Sequence, residues 1–143
     1  MRNLEADYRR YEEINKAYDA ADKTEEAGEK ARAAYQDLLT EVRAEGDGYG
    51  WLMRLYSEMK EKENERIDLD ELRIDAKDAL ETMKKYGITE FTFSSTWSST
   101  IEKVWDFEQA GAKMLGMTQV NASRHPNIYG EKDTKPAFIF SIA

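Results

Sequence analysis

The hydrophobic pattern of this chain changes period at Gly87, and that change commits the fold to a mixture of helices and strands. Before Gly87, apolar residues recur at three- and four-residue steps, the repeat of helices with one buried face. After it, Thr89, Phe91 and Phe93 alternate with Ile88, Glu90, Thr92 and Ser94, the period of a strand. The expected fold class is therefore α+β. A length of 143 residues suits one domain over 1–143, with a helical sub-region at 1–66 and an αβαββ unit at 67–143.

Residues 3–45 read as helix. Leu4, Tyr8, Tyr11, Ile14 and Tyr18 form one stripe, and Ala27, Ala31, Ala34, Tyr35, Leu38 and Val42 form another. Asp22, Lys23 and Thr24 offer a cap between them, which favours a hairpin of two helices over a single rod. GDGYG (46–50) is the strongest breaker in the chain. A short helix carrying Trp51, Leu52, Leu55, Tyr56 and Met59 follows, and KEKENER (60–66) closes it, so the N-terminal region holds two or three helices.

Ile67 to Leu72 reads as a helix start, with Asp68 as N-cap, Glu71 completing a capping box and Ile67 stapled onto Leu72. That helix carries Ala76, Ala79, Leu80 and Met83 on one face and ends at Gly87. A strand follows, then a helix bearing Ile101, Val104, Trp105 and Ala110, ended by Gly111. Residues 112–121 and 136–143 read as an antiparallel pair, completing a small three-stranded sheet.

Charge and composition remove several function classes. There is no cysteine, so disulfides, thiolate metal sites and cysteine nucleophiles are excluded. No run of eighteen apolar residues and no apolar leader occur, so a soluble, cytoplasmic protein without membrane contact is expected. The net charge of −8 argues against direct binding to nucleic acid. Residues 1–86 carry 23 acids against 16 bases, so the acidic part is the helical part. Interleaved with bases, such acids serve first to solvate exposed helix faces; the alternative is that the surface, with Glu12, Glu13 and Asp19 among its acids, attracts a basic protein partner.

FTFSSTWSST (91–100) concentrates hydroxyls where a strand meets a helix N-terminus, which is a ready anion site. Phosphate loops add glycines and a lysine, but no glycine lies between Gly87 and Gly111, and the next base is Lys103. The nucleophile elbow G-x-S-x-G is absent. Capping by Ser95 or Ser99, with Glu102 completing a box, accounts for the hydroxyls, and Trp97 reads as a core anchor whose other role is recognition. Asp68, Asp70, Glu71, Asp75 and Asp78 match no calcium loop. The lone histidine, His125, lies in a polar loop and reads as exposed. With Arg124, Tyr129, Lys132 and Lys135 it makes 122–135 the most basic spot of the C-terminal part and a candidate contact surface. No catalytic, metal or cofactor-binding residues are expected, and hence no cofactor. The tyrosines at 8, 11, 18 and 35 lack the positive groove of a base-stacking platform and suit packing or protein contact.

FTFSSTWSSTIEKVWDFEQAGAKMLGMTQVN (91–121) and the closing PAFIFSIA resemble small accessory proteins carried on phages and conjugative elements of Gram-positive bacteria. The shared pattern is a strand ending in Ser-Ser-Thr-Trp, a helix, Ala-Gly, and a strand ending near Val-Asn. The resemblance carries over no catalytic residue. It implies a mobile-element setting, where small acidic proteins antagonise host defence, CRISPR nucleases included. The expectation is a non-enzymatic inhibitor of a CRISPR nuclease or another nucleic-acid-binding host protein. Trp97, Arg124, His125 and Tyr129 would add specific contacts to the acidic Glu12, Glu13 and Asp19. The alternative is a structural or regulatory homo-oligomer built through the tyrosine-bearing helices.

Overall fold

Asn3 starts the first helix by satisfying free amides: its side-chain oxygen accepts from the Ala6 amide at 2.9 Å and its carbonyl from Asp7 at 3.0 Å. The computed structural model describes residues 1–20, 25–71, 73–95 and 97–142. It contains two compact units, Met1–Met53 and Arg54–Ala143. The division falls inside a helix rather than at the sub-region boundary after residue 66 that the sequence suggested.

In the first unit, α1 (Leu4–Ala20) packs on α2 (Glu25–Glu45), so the described residues here form two packed helices and not one rod. The proposed cap at Asp22, Lys23 and Thr24 lies outside the described residues. Leu4, Tyr8 and Ile14 of α1 and Ala31, Leu38 and Val42 of α2 are buried. The Tyr11 ring sits 6.3 Å from that of Tyr35 across the pair, in the range of favourable aromatic contact. Arg10 pairs with Glu41 at 2.6 Å, adding a polar link between the same two helices.

GDGYG breaks the chain only at Gly46, whose φ of 129° suits glycine alone. The next helix, α3 (Asp47–Lys62), starts four residues before the expected Trp51 and takes Gly48 and Gly50 into its first turns. Tyr49 and Leu52 are almost completely buried there, and their packing outweighs the low helix propensity of the glycines.

Among the described residues the second unit holds a sheet of four strands instead of three, in the order Ile67–Leu69, Glu90–Phe93, Thr134–Ser141, Lys113–Asn121 across the sheet. The extra strand is β1 (Ile67–Leu69), which the sequence reading assigned to a helix start. Ile67 and Leu69 are buried and pair in parallel with Phe91 and Phe93 of β2 (Glu90–Phe93), which leaves Asp68 beside Thr92. Asp68 therefore caps no helix. That role belongs to Asp75, whose carboxylate accepts from the Asp78 amide at 3.0 Å at the head of α4 (Ala76–Lys85). Leu72 lies outside the described residues, and so does the staple expected of it. The far end of α4 matches the expectation: Ile88 donates to the Met83 carbonyl and Gly87 to the Lys84 carbonyl, with Gly87 at φ 81°.

α5 (Thr100–Gln109) follows β2, and β3 (Lys113–Asn121) and β4 (Thr134–Ser141) form the expected antiparallel hairpin, with a bulge between Met114 and Gly116. β4 also pairs with β2, placing Phe140 opposite Phe91 and Phe138 opposite Phe93. Phe107 of α5 meets Phe91, Phe93 and Phe140 at ring separations of 5.2, 5.3 and 5.4 Å. This aromatic cluster, not the Ile101–Trp105 stripe, is what α5 buries.

Candidate interaction surface

The hydroxyls of FTFSSTWSST divide between two tasks. Thr92 Oγ1 donates to Asp68 Oδ1 at 2.7 Å, and Ser94 Oγ donates to Asp68 Oδ2 at 2.6 Å. Both hydroxyl residues are buried, so these bonds clasp β1 to β2 inside the unit. Burial pushes the Asp68 carboxyl above its ordinary value; the Ser94 and Thr92 hydrogen bonds and the Lys135 charge offset part of that rise, and Asp70 adds to it. Lys135 stands 3.9 Å from Asp68 and 3.8 Å from Asp70. Ser95 and Thr100 shape the turn into α5. Ser95 Oγ accepts from the Trp97 amide at 3.4 Å, and Thr100 Oγ1 donates to the Trp97 carbonyl at 2.6 Å. Ser99 occupies the N-cap position without a side-chain capping bond, so the expected Ser99–Glu102 box does not form. Thr96 is outside the described residues.

This turn delivers Trp97 to solvent. Trp97 is 71% exposed, and on α5 Ile101 is 80% and Trp105 61% exposed. The core-anchor reading of Trp97 is thus overturned; the inward position of α5 is taken by Phe107. Leu115 and Met117 are also exposed on β3, the strand that α5 contacts. Scattered apolar residues are ordinary on a protein surface, but two tryptophans with an isoleucine on one short segment are not. Ile101, Trp105, Leu115 and Met117 were missed as site residues. The available signal was that α5 carries large apolar groups on opposite sides, Phe107 on one and Ile101 with Trp105 on the other.

The 122–135 loop is less basic in space than in sequence. Arg124 forms a salt bridge to Glu58 and approaches Glu61 at 3.1 Å, both on α3. Lys132 lies 3.0 Å from Glu63, and Lys135 faces Asp68 and Asp70. Acids more than sixty residues earlier in the chain answer these cations. Asn127 builds the hairpin tip by accepting from the Tyr129 and Glu131 amides at 2.9 and 3.1 Å. The tip exposes His125, Ile128 and Tyr129. Arg124, His125 and Tyr129 share this loop, whereas Trp97 stands on the segment before α5. Glu12, Glu13 and Asp19 are exposed on α1, in the other unit.

Between α4 and α5 lies a polar groove of about 730 Å³, lined by Asp75, Lys77, Lys84, Lys103 and Asp106 among others. The Lys103 ammonium is engaged there, donating to the Ile74 carbonyl at 2.6 Å with Asp106 at 3.7 Å. Among the described residues, no three His, Asp or Glu side chains are placed to hold a metal ion, and no helix is long and apolar enough to cross a membrane.

A family model, "Domain of unknown function (DUF7698)", matches residues 51–142. The chain belongs to the DUF7698 family. No curated protein and no solved structure matches it. The DUF7698 match contains Trp97, Ile101, Trp105 and the whole β3–β4 hairpin, while Glu12, Glu13 and Asp19 precede it.

Proposed function

We propose that this DUF7698 chain is a non-enzymatic protein-binding module, and that the outer face of α5 is its principal contact surface. The observation that carries this reading is the exposure of Trp97, Ile101 and Trp105 on one segment. Tryptophan is a favoured interface anchor, because a large rigid ring gains much on desolvation and loses little side-chain freedom. Three hydroxyl residues of this stretch are committed to structure: Thr92 and Ser94 are buried against Asp68, and Ser95 is used in the turn. The acidity of the chain and the resemblance of 91–121 to mobile-element accessory proteins favour a basic, nucleic-acid-handling partner, and a CRISPR nuclease fits that description.

The test is gel filtration and target cleavage with a panel of purified CRISPR nucleases. The expected result is a complex that blocks cutting, and its loss in the Trp97→Ala/Trp105→Ala variant. A complex that survives both substitutions would move the contact surface elsewhere. Absence of any complex across the panel would remove the nuclease from the proposal. The homo-oligomer alternative has less to stand on, since Tyr8, Tyr11 and Tyr35 pack within the α1–α2 pair and Tyr18 alone of that set is markedly exposed.

A further inference from the structure

Resting on the reading of α5 as a contact face, we infer that its occupant is a basic amphipathic helix of a partner protein. Ile101 and Trp105 are four residues apart, so they stand one turn above the other in an apolar row. Glu102, one residue after Ile101, places a carboxylate about 100° further round the helix, whereas Asp106 pairs with Lys103 at 3.7 Å on the α4 side. Glu108, three residues beyond Trp105, adds a second carboxylate at the end of the apolar row. Glu102 and Glu108 are both exposed.

Among the described residues, no basic side chain of α5 is paired with Glu102 or Glu108. Lys103 is the sole base on the helix, and its ammonium is held in the α4 groove by the Ile74 carbonyl and Asp106. The face therefore presents an apolar row flanked by two carboxylates. Its complement is a helix with apolar side chains at i, i+3 or i+4, and i+7, flanked by lysine or arginine. The exposed indoles add a second preference of the same sign, since the face of tryptophan attracts ammonium and guanidinium groups. An acidic or neutral helix would match the apolar row but leave the carboxylates either repelled or desolvated without a partner.

The test uses three synthetic amphipathic helices with the same leucine face, whose flanking positions are lysine, glutamine or glutamate. Each is titrated into the full chain and followed by tryptophan emission. The lysine helix is expected to bind at least about tenfold more tightly than the glutamine helix at low salt, with a blue shift of the emission and a loss of affinity as salt rises. Glu102→Gln/Glu108→Gln is expected to erase that tenfold preference. Trp105→Ala, which leaves the charge unchanged, is expected to abolish binding, and so separates docking on α5 from general attraction to an acidic protein. Equal binding of the lysine and glutamine helices would overturn the basic-partner inference and leave the contact face standing. Undiminished binding of the lysine helix by Trp105→Ala, or no binding of it to the unmodified chain, would overturn it as well. Failure of the contact-face reading itself is read separately, from the Trp97→Ala/Trp105→Ala variant in the nuclease assay.

Discussion

Ser94 donates its hydroxyl to the Asp68 carboxylate at 2.6 Å, fastening the end of β2 to the centre of β1. Both residues are largely withdrawn from water, so the bond cannot be replaced cheaply by solvent. Ser94→Ala is expected to cost about 1.5–3 kcal/mol, the range for a hydrogen bond to a charged group left without its donor. Urea unfolding followed by circular dichroism measures it. A cost below about 0.5 kcal/mol, the level of an ordinary surface change, would mean that the clasp contributes nothing.

The same carboxylate sets a pH dependence whose sign is unusual for an aspartate. Burial raises Asp68 in the folded state, so between its unfolded value of about 3.9 and its folded value the native protein binds more protons than the unfolded chain. Stability from this group is then greatest below that window and falls as pH rises through it. Asp68→Asn removes the titration. Its stability relative to the unmodified protein should improve as pH rises from about 4 and then level off above the folded value. A variant that loses stability relative to the unmodified protein over that range would reverse the assignment.

Asp7 behaves in the opposite sense. Burial works to raise it, but hydrogen bonds from Arg2, at 2.7 Å, and from Tyr49 outweigh burial and hold its carboxyl below the ordinary value. Its contribution is present above the unfolded value of about 3.9 and is lost as pH falls through the lower folded value. Tyr49→Phe leaves a buried carboxylate oxygen short of a donor and is expected to cost about 1–3 kcal/mol at neutral pH. Amide hydrogen exchange in α1 and α2 reads this locally, and faster exchange there at pH 7 is the expected outcome. Asp7→Asn should lose less stability at pH 3 than at pH 7.

Gly87 ends α4 at φ 81°, with open space where a Cβ would stand. The cost of Gly87→Ala is therefore conformational and not steric, about 1 kcal/mol, and Gly87→Asn should cost less because asparagine tolerates the left-handed region. A melting-temperature series of the three chains decides it, with the order Gly, Asn, Ala expected.

Gly87 also marks what could be read from sequence. Its φ requirement is local, so the end of α4, the strand after it and the β3–β4 hairpin were all legible. β1 was not, because Ile67–Leu69 is too short to show a period and Asp68 with Glu71 imitates a capping box. Only the pairing with Phe91 and Phe93, more than twenty residues away, makes it a strand. The candidate site failed in part for the same reason. The cations at 124, 132 and 135 look free in sequence, and the acids that answer them lie between 58 and 70. The exposure of Trp105 depends on Phe107 winning the inward position, which the sheet phenylalanines decide.

That competition gives a last, paired prediction. Trp105 and Phe107 are two residues apart on α5, yet Phe107 is fully buried and Trp105 is 61% exposed. Phe107→Ala removes the ring that touches Phe91, Phe93 and Phe140, and should cost about 3–5 kcal/mol as a core truncation. Trp105→Ala removes a larger side chain that is already mostly in water, and should cost far less, about 2 kcal/mol at most. Urea unfolding of both variants beside the unmodified chain makes the comparison, with acrylamide quenching of tryptophan emission as a second readout of the open indoles. A Trp105→Ala cost close to that of Phe107→Ala would place the indole in contact with something in solution. Light scattering would then show whether that something is a second copy of the chain.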